Sequence, residues 1–352
     1  MDCTNYNDER CPKNISLENI DLTDKDTFNS IFLGCWGVYC KEGEHIAYKY
    51  KKREFKKDTK FYGQGYVIPD MVKYSNTHQI DAVILAGDNV YGDVPDRKLM
   101  ERIQETGDSS LLFNIEKQLR EGFEDCMSRV NSDNFIVGIG NHDIESCHIL
   151  NTQLNYTHWN MPALSFNIIY QMSDFYINFI FIDTNMYETD KWCWGTYPEN
   201  AKTDQYKWVD EVLHIKYDMP VWNIVIGHIP FICNSHKENN IQPRIEVDLY
   251  KLILDYSHKI DLYMCADEHN QQYITMDGMP PQVISGSGGA DLDRNVYVNE
   301  LELQTQLIRS VFGFVGFSIT KEEINLTFYT AQNQPMISEE LLEPKTFIIS
   351  KN

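Results

Sequence analysis

The chain has 352 residues, 42% of them hydrophobic and 12% aromatic, enough to build a large core, which excludes a disordered polypeptide. Its 31 basic residues face 52 acidic ones, a net charge of 31 − 52 = −21. Such a surface repels phosphate backbones and anionic headgroups, so neither nucleic acid nor a membrane is expected as a partner, and no run approaches the ~20 apolar residues of a spanning helix.

Residues 1–28 are polar, show no helical or strand period, and read as an N-terminal arm. They also lack the basic start and apolar stretch of a secretory signal. Nine scattered cysteines, an odd number, suit free thiols in a reducing compartment. The expectation is a cytoplasmic or other intracellular protein, or a secreted one whose signal has been removed. Residues 29–335 read as a single domain and 336–352 as a C-terminal segment packed on it.

From Ser30 onward short apolar runs recur, bounded by Gly, Asn, Asp and His: Ile31 to Leu33, Ala82 to Ala86, Phe135 to Ile139, Tyr176 to Ile182, Asn223 to Ile226, Leu262 to Cys265 and Gln282 to Ile284. Runs of this length without alternation predict buried strands. Helical spacing appears between several of them, over Leu111 to Met127, Gln205 to Ile215 and Ile245 to Ser257. This order predicts an α/β fold with largely parallel pairing. Val315 to Thr320 and Ile324 to Thr330 alternate around a Lys-Glu-Glu turn and predict an antiparallel hairpin. The Lys- and Tyr-rich stretch Lys41 to Lys60 reads as a solvated loop.

Five of these regions end in residues that metal ions favour: Gly34-Cys35-Trp36-Gly37, Gly87-Asp88-Asn89-Val90-Tyr91, Gly140-Asn141-His142-Asp143, Gly227-His228-Ile229-Pro230 and Ala266-Asp267-Glu268-His269-Asn270. Each follows an apolar run, and in an open α/β sheet the carboxyl ends of the strands share one edge, so the five can converge. Taken singly each is weak, because an Asn-His-Asp in a loop is more often a capped turn. Together they supply carboxylate, amide, imidazole and phenol groups of the kind that two neighbouring metal ions require, with one carboxylate able to bridge both.

The ordered series GCWG, GDNVY, GNHD, GHIP and ADEHN resembles the purple acid phosphatases, within the calcineurin-like metallophosphoesterases, and is closest to the small mammalian-type enzymes. Phe181-Ile182-Asp183-Thr184, Asp204 to Trp208 and Ser285-Gly286-Ser287-Gly288 extend the similarity over roughly residues 30–330. The resemblance implies a four-layer α/β/β/α sandwich of two mixed sheets flanked by helices. It also implies two metal ions, iron and/or zinc or manganese, and a phosphorylated small molecule or phosphoprotein as substrate. By the same resemblance Asp88 bridges the ions, Tyr91 and His269 bind the first, and Asn141 and His228 bind the second. His142 supports substrate and leaving group, and His236 stands near a further histidine position in a segment one residue short.

Two ligand positions depart from the family pattern, Cys35 standing where it has Asp and Asp267 where it has His. A thiolate is a softer donor that favours zinc or ferrous iron, and a carboxylate in place of imidazole suits a harder ion, so the site can still coordinate. The other reading makes Cys35 a small buried hydrophobe and Asp267 a hydrogen-bonded loop carboxylate. Two functions follow: a metal-dependent phosphomonoesterase with a modified ligand set, or a catalytically impaired relative acting as a structural or scaffolding subunit with a protein assembly partner. A nucleic-acid phosphodiesterase is disfavoured by the charge.

Overall fold

The computed structural model describes residues 14–17, 19–37, 63–91, 115–145, 147–189, 191–192, 195–234, 244–293, 304–334 and 337–351. His236 and the Lys41 to Lys60 stretch lie outside them.

Two mixed sheets stack face to face. One runs in the order Lys345–Ser350, Glu323–Thr330, Gly313–Ile319, Phe28–Leu33, Ala82–Ala86, Phe135–Gly138, with the last three strands mutually parallel. The other contains Phe166–Gln171, Tyr176–Phe181, Val221–Ile226, Leu262–Cys265, Gln282–Ser285, Gln271–Thr275 and Gln304–Arg309 in that order. Every apolar run read as a strand is a strand, and the hairpin forms with Gly313–Ile319 antiparallel to Glu323–Thr330. Pairing is less uniformly parallel than the strand-helix alternation suggests, because Phe166–Gln171 and Gln271–Thr275 insert antiparallel. Ile15–Ser16 and Ile20–Asp21, inside the stretch read as a periodless arm, each pair in parallel with Phe166–Gln171. Two-residue strands are too short to leave a period in the sequence.

The absence of alternation in the strands has a plain cause, which is that both faces are covered. Phe28, Phe32, Ala82 and Ile84 point into the inter-sheet core with Phe179, Phe181, Ile224 and Phe317. Their neighbours Ile31, Leu33, Val83 and Leu85 point the other way, onto Val67, Ile68 and Met71 of the helix Gln64–Thr77. Likewise Ile180 and Val225 of the second sheet meet Val209 and Val212 of the helix Ala201–Leu213 and Leu249 and Ile253 of Val247–Asp255. The order helix, sheet, sheet, helix is the four-layer sandwich. A chain of buried amides pins the register of three adjacent strands: Asn167 donates to Asn178 and Asn178 to Asn223, both at 3.1 Å, and Asn223 donates to the Lys259 carbonyl at 3.0 Å.

Candidate metal centre

The carboxyl ends of Phe28–Leu33, Ala82–Ala86, Phe135–Gly138, Val221–Ile226 and Leu262–Cys265 deliver the motif loops to a common point. The loops are fastened to one another before any functional side chain is considered. Cys35 N–H donates to the Gly87 carbonyl at 3.0 Å, Tyr91 N–H to Gly37 at 3.1 Å and Ala266 N–H to His228 at 2.9 Å. The Trp36 indole donates to Asn89 Oδ1 at 2.9 Å, and Asn89 Nδ2 to the Gly138 carbonyl at 2.8 Å. Asp143, to which the sequence assigned no role, is the central fastener. Its buried carboxylate accepts the N–H groups of Gly140 at 2.7 Å, Asn89 at 3.0 Å and Val90 at 3.2 Å. The turns are so close that a Cβ on Gly140 would lie 2.4 Å from Asp88 Oδ1, which is why that position is glycine.

Asp88 is 1% exposed, and its two oxygens face different partners. Oδ2 accepts the Tyr91 hydroxyl at 2.8 Å, and that hydroxyl also lies 3.2 Å from His269 Nε2. Oδ1 lies 3.4 Å from His228 Nε2, which is in turn 3.1 Å from Asn141 Oδ1 and 3.8 Å from Asp267 Oδ1. The sulfur of Cys35 lies within 4.8 Å of ligand atoms on both Asp88 and His228. Both histidines are oriented from behind, His228 Nδ1 by the Ala86 carbonyl and His269 Nδ1 by the Asp291 carbonyl, each at 2.7 Å. That arrangement turns both Nε2 atoms towards the shared centre. Thr184 Oγ1 accepts the N–H groups of His228 and Ile229 at 3.1 and 2.9 Å and fixes the Gly-His-Ile-Pro turn.

Among the described residues, the non-glycine positions with left-handed backbone are Cys35 (φ 53°), Asp88 (φ 53°) and Asp267 (φ 60°). Each costs about 1–3 kcal/mol where no glycine relieves it. All three lie in the one cluster of donors.

Burial alone would raise the Asp88 carboxyl, but the charges of His228 and His142 override it and hold it well below the usual carboxylate range. Burial pushes down on His228, and Asp88 and Asp267 more than compensate, raising it to about 9. His142 follows the same pattern: burial opposes, Asp88 and Glu145 prevail, and it is raised to about 9. Burial and the Asp88 charge push the Cys35 thiol and the Tyr91 phenol well up.

The donor set suits metal ions. Ligand atoms sharing a shell of ~2 Å radius stand roughly 3 to 3.5 Å from one another, and His228 Nε2 lies 3.4 Å from Asp88 Oδ1 and 3.1 Å from Asn141 Oδ1. His142 sits at the edge, its ring 4.6 Å from that of Tyr91 and its Nδ1 2.8 Å from Glu145 Oε1. A cleft of about 150 Å³, lined by Asp88, Asn141, His142, Asp267, Glu268, His269 and Asp293, opens onto the cluster. A larger cleft of about 390 Å³ beside Tyr187 presents Lys202, whose ammonium is paired with Asp248 at 2.6 Å.

All seven residues read as ligands, with His142, are thus brought together. The groups that the sequence reading missed act from outside: Asp143 fastens the loops, Glu145 holds His142, and the Ala86 and Asp291 carbonyls orient His228 and His269. Only Asp143 stood inside a motif, and backbone carbonyls leave no signature in a sequence.

Two stacked mixed sheets with a buried cluster of carboxylate, imidazole, phenol and amide donors at their shared edge define a metallophosphoesterase fold. The pattern of the calcineurin-like phosphoesterases matches residues 27–271, and the chain belongs to that family. Purple acid phosphatase 4 of Arabidopsis thaliana is 28% identical over 110 residues, which is 31% of this chain and 31% of the length of that relative. Among solved structures, GAP50, the anchor in the inner membrane complex of Plasmodium, superposes with a TM-score of 0.61 at 17% identity over 93% of this chain and 90% of its own. The purple acid phosphatase PPD1 of yellow lupin gives 0.56 at 14% identity, covering 94% of this chain and 55% of its own. A dimetal phosphatase of Danio rerio gives 0.51 at 10% identity, covering 92% and 98%. No described helix is long and apolar enough to cross a membrane.

Proposed function

We propose that this protein is a metal-dependent phosphomonoesterase with a two-ion centre, acting on a phosphorylated small molecule or phosphoprotein. The observation that carries this reading is the division of Asp88, one oxygen towards Tyr91 and His269 and the other towards His228 and Asn141. A carboxylate so placed serves two ions at once. Tyr91, His269 and Cys35 would complete one shell, and Asn141, His228 and Asp267 the other, with iron, zinc or manganese as candidate ions. Bound there, such ions polarise a phosphoryl oxygen and lower the pKa of an attacking water. His142, buttressed by Glu145 at 2.8 Å, is suited to steady the departing oxygen. His236 is kept as a candidate for the same task.

The test uses Asp88→Asn, because Asn tolerates a left-handed backbone and the substitution therefore reports on charge and bridging rather than on the turn. Asp88→Asn lowers the content of both ions by elemental analysis, and His228→Ala empties mainly one. Melting temperature falls with occupancy, since bound metal stabilises by mass action. Asp88→Asn with unchanged metal content and melting temperature sinks the two-ion reading.

A second reading, a non-enzymatic scaffolding subunit with a protein partner, is favoured by the substituted positions Cys35 and Asp267. That a Plasmodium anchor protein has this fold makes such a use physically reasonable. Here the double variant Cys35→Asp with Asp267→His gains aryl phosphatase activity that the parent lacks. A parent already as active as the double variant excludes it.

A further inference from the structure

We propose that the C-terminal strand Lys345–Ser350 is a self-association edge, on which a second copy of this chain adds its own Lys345–Ser350, antiparallel, across a two-fold axis at Phe347. The strand ends its sheet, and among the described residues Glu323–Thr330 is the neighbour it pairs with there. The opposite end of the same sheet is closed, because Asn160 bonds the outer side of Phe135–Gly138: its N–H donates to the Phe135 carbonyl at 2.7 Å and its carbonyl accepts from Val137 at 3.0 Å. Lys345–Ser350 runs for six residues in unbroken register, and Ile348 at its middle is 58% exposed. Sheet edges are commonly blunted by shortness, by a bulge or by a central charge, and an edge with none of these is a template for another strand.

The direction of the backbone groups follows from one bond. Lys351 N–H donates to the Glu322 carbonyl at 2.7 Å, so alternation along the antiparallel ladder aims the polar groups of Phe347 and Ile349 at Glu323–Thr330 and those of Thr346, Ile348 and Ser350 at the open side. Both ends of the strand are pinned. Arg309 donates to the Leu341 and Glu343 carbonyls ahead of it, at 3.4 and 3.1 Å, and Lys351 meets Asp261 at 2.7 Å behind it, so little freedom is lost on pairing. Charge selects a second copy as the occupant and sets its register. From Glu343 to Lys351 the edge carries two lysines against one glutamate in a chain of net charge −21, which makes it a place where two acidic chains can approach. Two symmetric registers each supply about six backbone bonds. An axis at Ile348 sets Lys345 opposite Lys351 of the other copy, a like-charge pair that destabilises, whereas an axis at Phe347 sets Glu343 opposite that Lys351 at both ends. The second register also places Thr346 against Ile348 and Phe347 against Phe347, and β-branched and aromatic cross-strand pairs stabilise a sheet.

The experiment is sedimentation velocity on the full-length chain from about 1 to 200 μM, with residue-resolved amide hydrogen exchange at the two ends of that range. An edge of this length buries less than a standard interface, so the expected species is a weak dimer whose population rises with concentration. In it the amides of Thr346, Ile348 and Ser350 gain protection, while those of Phe347 and Ile349, already bonded within the chain, do not change. Ile348→Lys and Glu343→Lys, both at exposed positions, each weaken the dimer by about tenfold. A chain that stays monomeric throughout overturns the proposal, as does a dimer that both substitutions leave intact. A monomeric chain whose three open-side amides are protected by an added, unrelated strand-forming peptide assigns the edge to another protein instead. Should either variant not fold, the exchange pattern of the unmodified chain decides, since a dimer without the alternating protection refutes the assignment.

Discussion

Asp183 shows how a residue next to the centre can govern stability without touching a ligand. Its carboxylate is fully buried and accepts the Asn185 N–H and Nδ2 at 3.0 Å and the Tyr197 hydroxyl at 2.9 Å. Burial nevertheless outweighs these donors and raises it to about 6. The unfolded value is about 4, so between about pH 4 and 6 the folded state holds the extra proton. Stability from this group is therefore full below about pH 4 and is lost as pH rises to about 6, an effect on the order of 3 kcal/mol. Asp183→Asn removes that slope. Melting temperatures measured from pH 4.5 to 7 (roughly the span of this titration) should show the variant gaining on the parent as pH rises, and parallel curves would refute the burial argument. In the sequence Asp183 was legible as part of Phe-Ile-Asp-Thr, but its burial was not, because Asn185 beside it carries no sign of enclosure and Tyr197, which caps the other oxygen, comes from 14 residues further along the chain.

Among the elements, the C-terminal strand Lys345–Ser350 is joined to the domain by its ladder to Glu323–Thr330 and by one buried cation. Arg309, 5% exposed, donates to Gln271 Oε1 at 2.9 Å and to the carbonyls of Phe328 at 2.8 Å, Glu343 at 3.1 Å and Leu341 at 3.4 Å. A guanidinium spans four acceptors that an ammonium cannot reach together. Arg309→Lys should cost about 1–3 kcal/mol, read as a lower denaturant midpoint with an unchanged slope. A loss below a few tenths of a kcal/mol would mean that the carbonyls find water instead. The helix Gln64–Thr77 escaped the sequence reading because Pro69 lies inside it and two of its buried positions, Gln64 and Ser75, are polar. Gln64 Nε2 donates to the Gly122 carbonyl at 3.0 Å. That contact falls in the region predicted as one helix from Leu111 to Met127, whose described part is instead Ile115–Leu119 followed by a wider π turn over Arg120–Glu124.

For the whole molecule the net charge of −21 acts against compactness through self-repulsion. Sodium chloride screens exposed charges, so raising a low-salt buffer to physiological ionic strength should lift the melting temperature by about 1–3 °C. A fall over that range would mean that favourable ion pairs outweigh the repulsion. One pair spans the layers: the Lys351 ammonium, following the edge strand of one sheet, meets both oxygens of Asp261 at 2.7 Å and lies 4.3 Å from the Trp222 ring of the other.

The strands, the hairpin and the order of the donor loops were legible in the residues alone, because two-sided burial leaves continuous apolar runs and tight turns need Gly, Asn and Asp at given places. The donors from Cys35 to His269 were legible there too, since the residue types that bind metal are few. Only the packed structure shows which oxygen of Asp88 faces which partners, that Cys35 and Asp267 are held in left-handed backbone, that Asp143 fastens the loops and that two carbonyls orient His228 and His269. These depend on contacts between segments up to 178 residues apart, such as Tyr91 with His269. Local patterns fix what each loop can donate, and only the packing of two sheets fixes where it donates it.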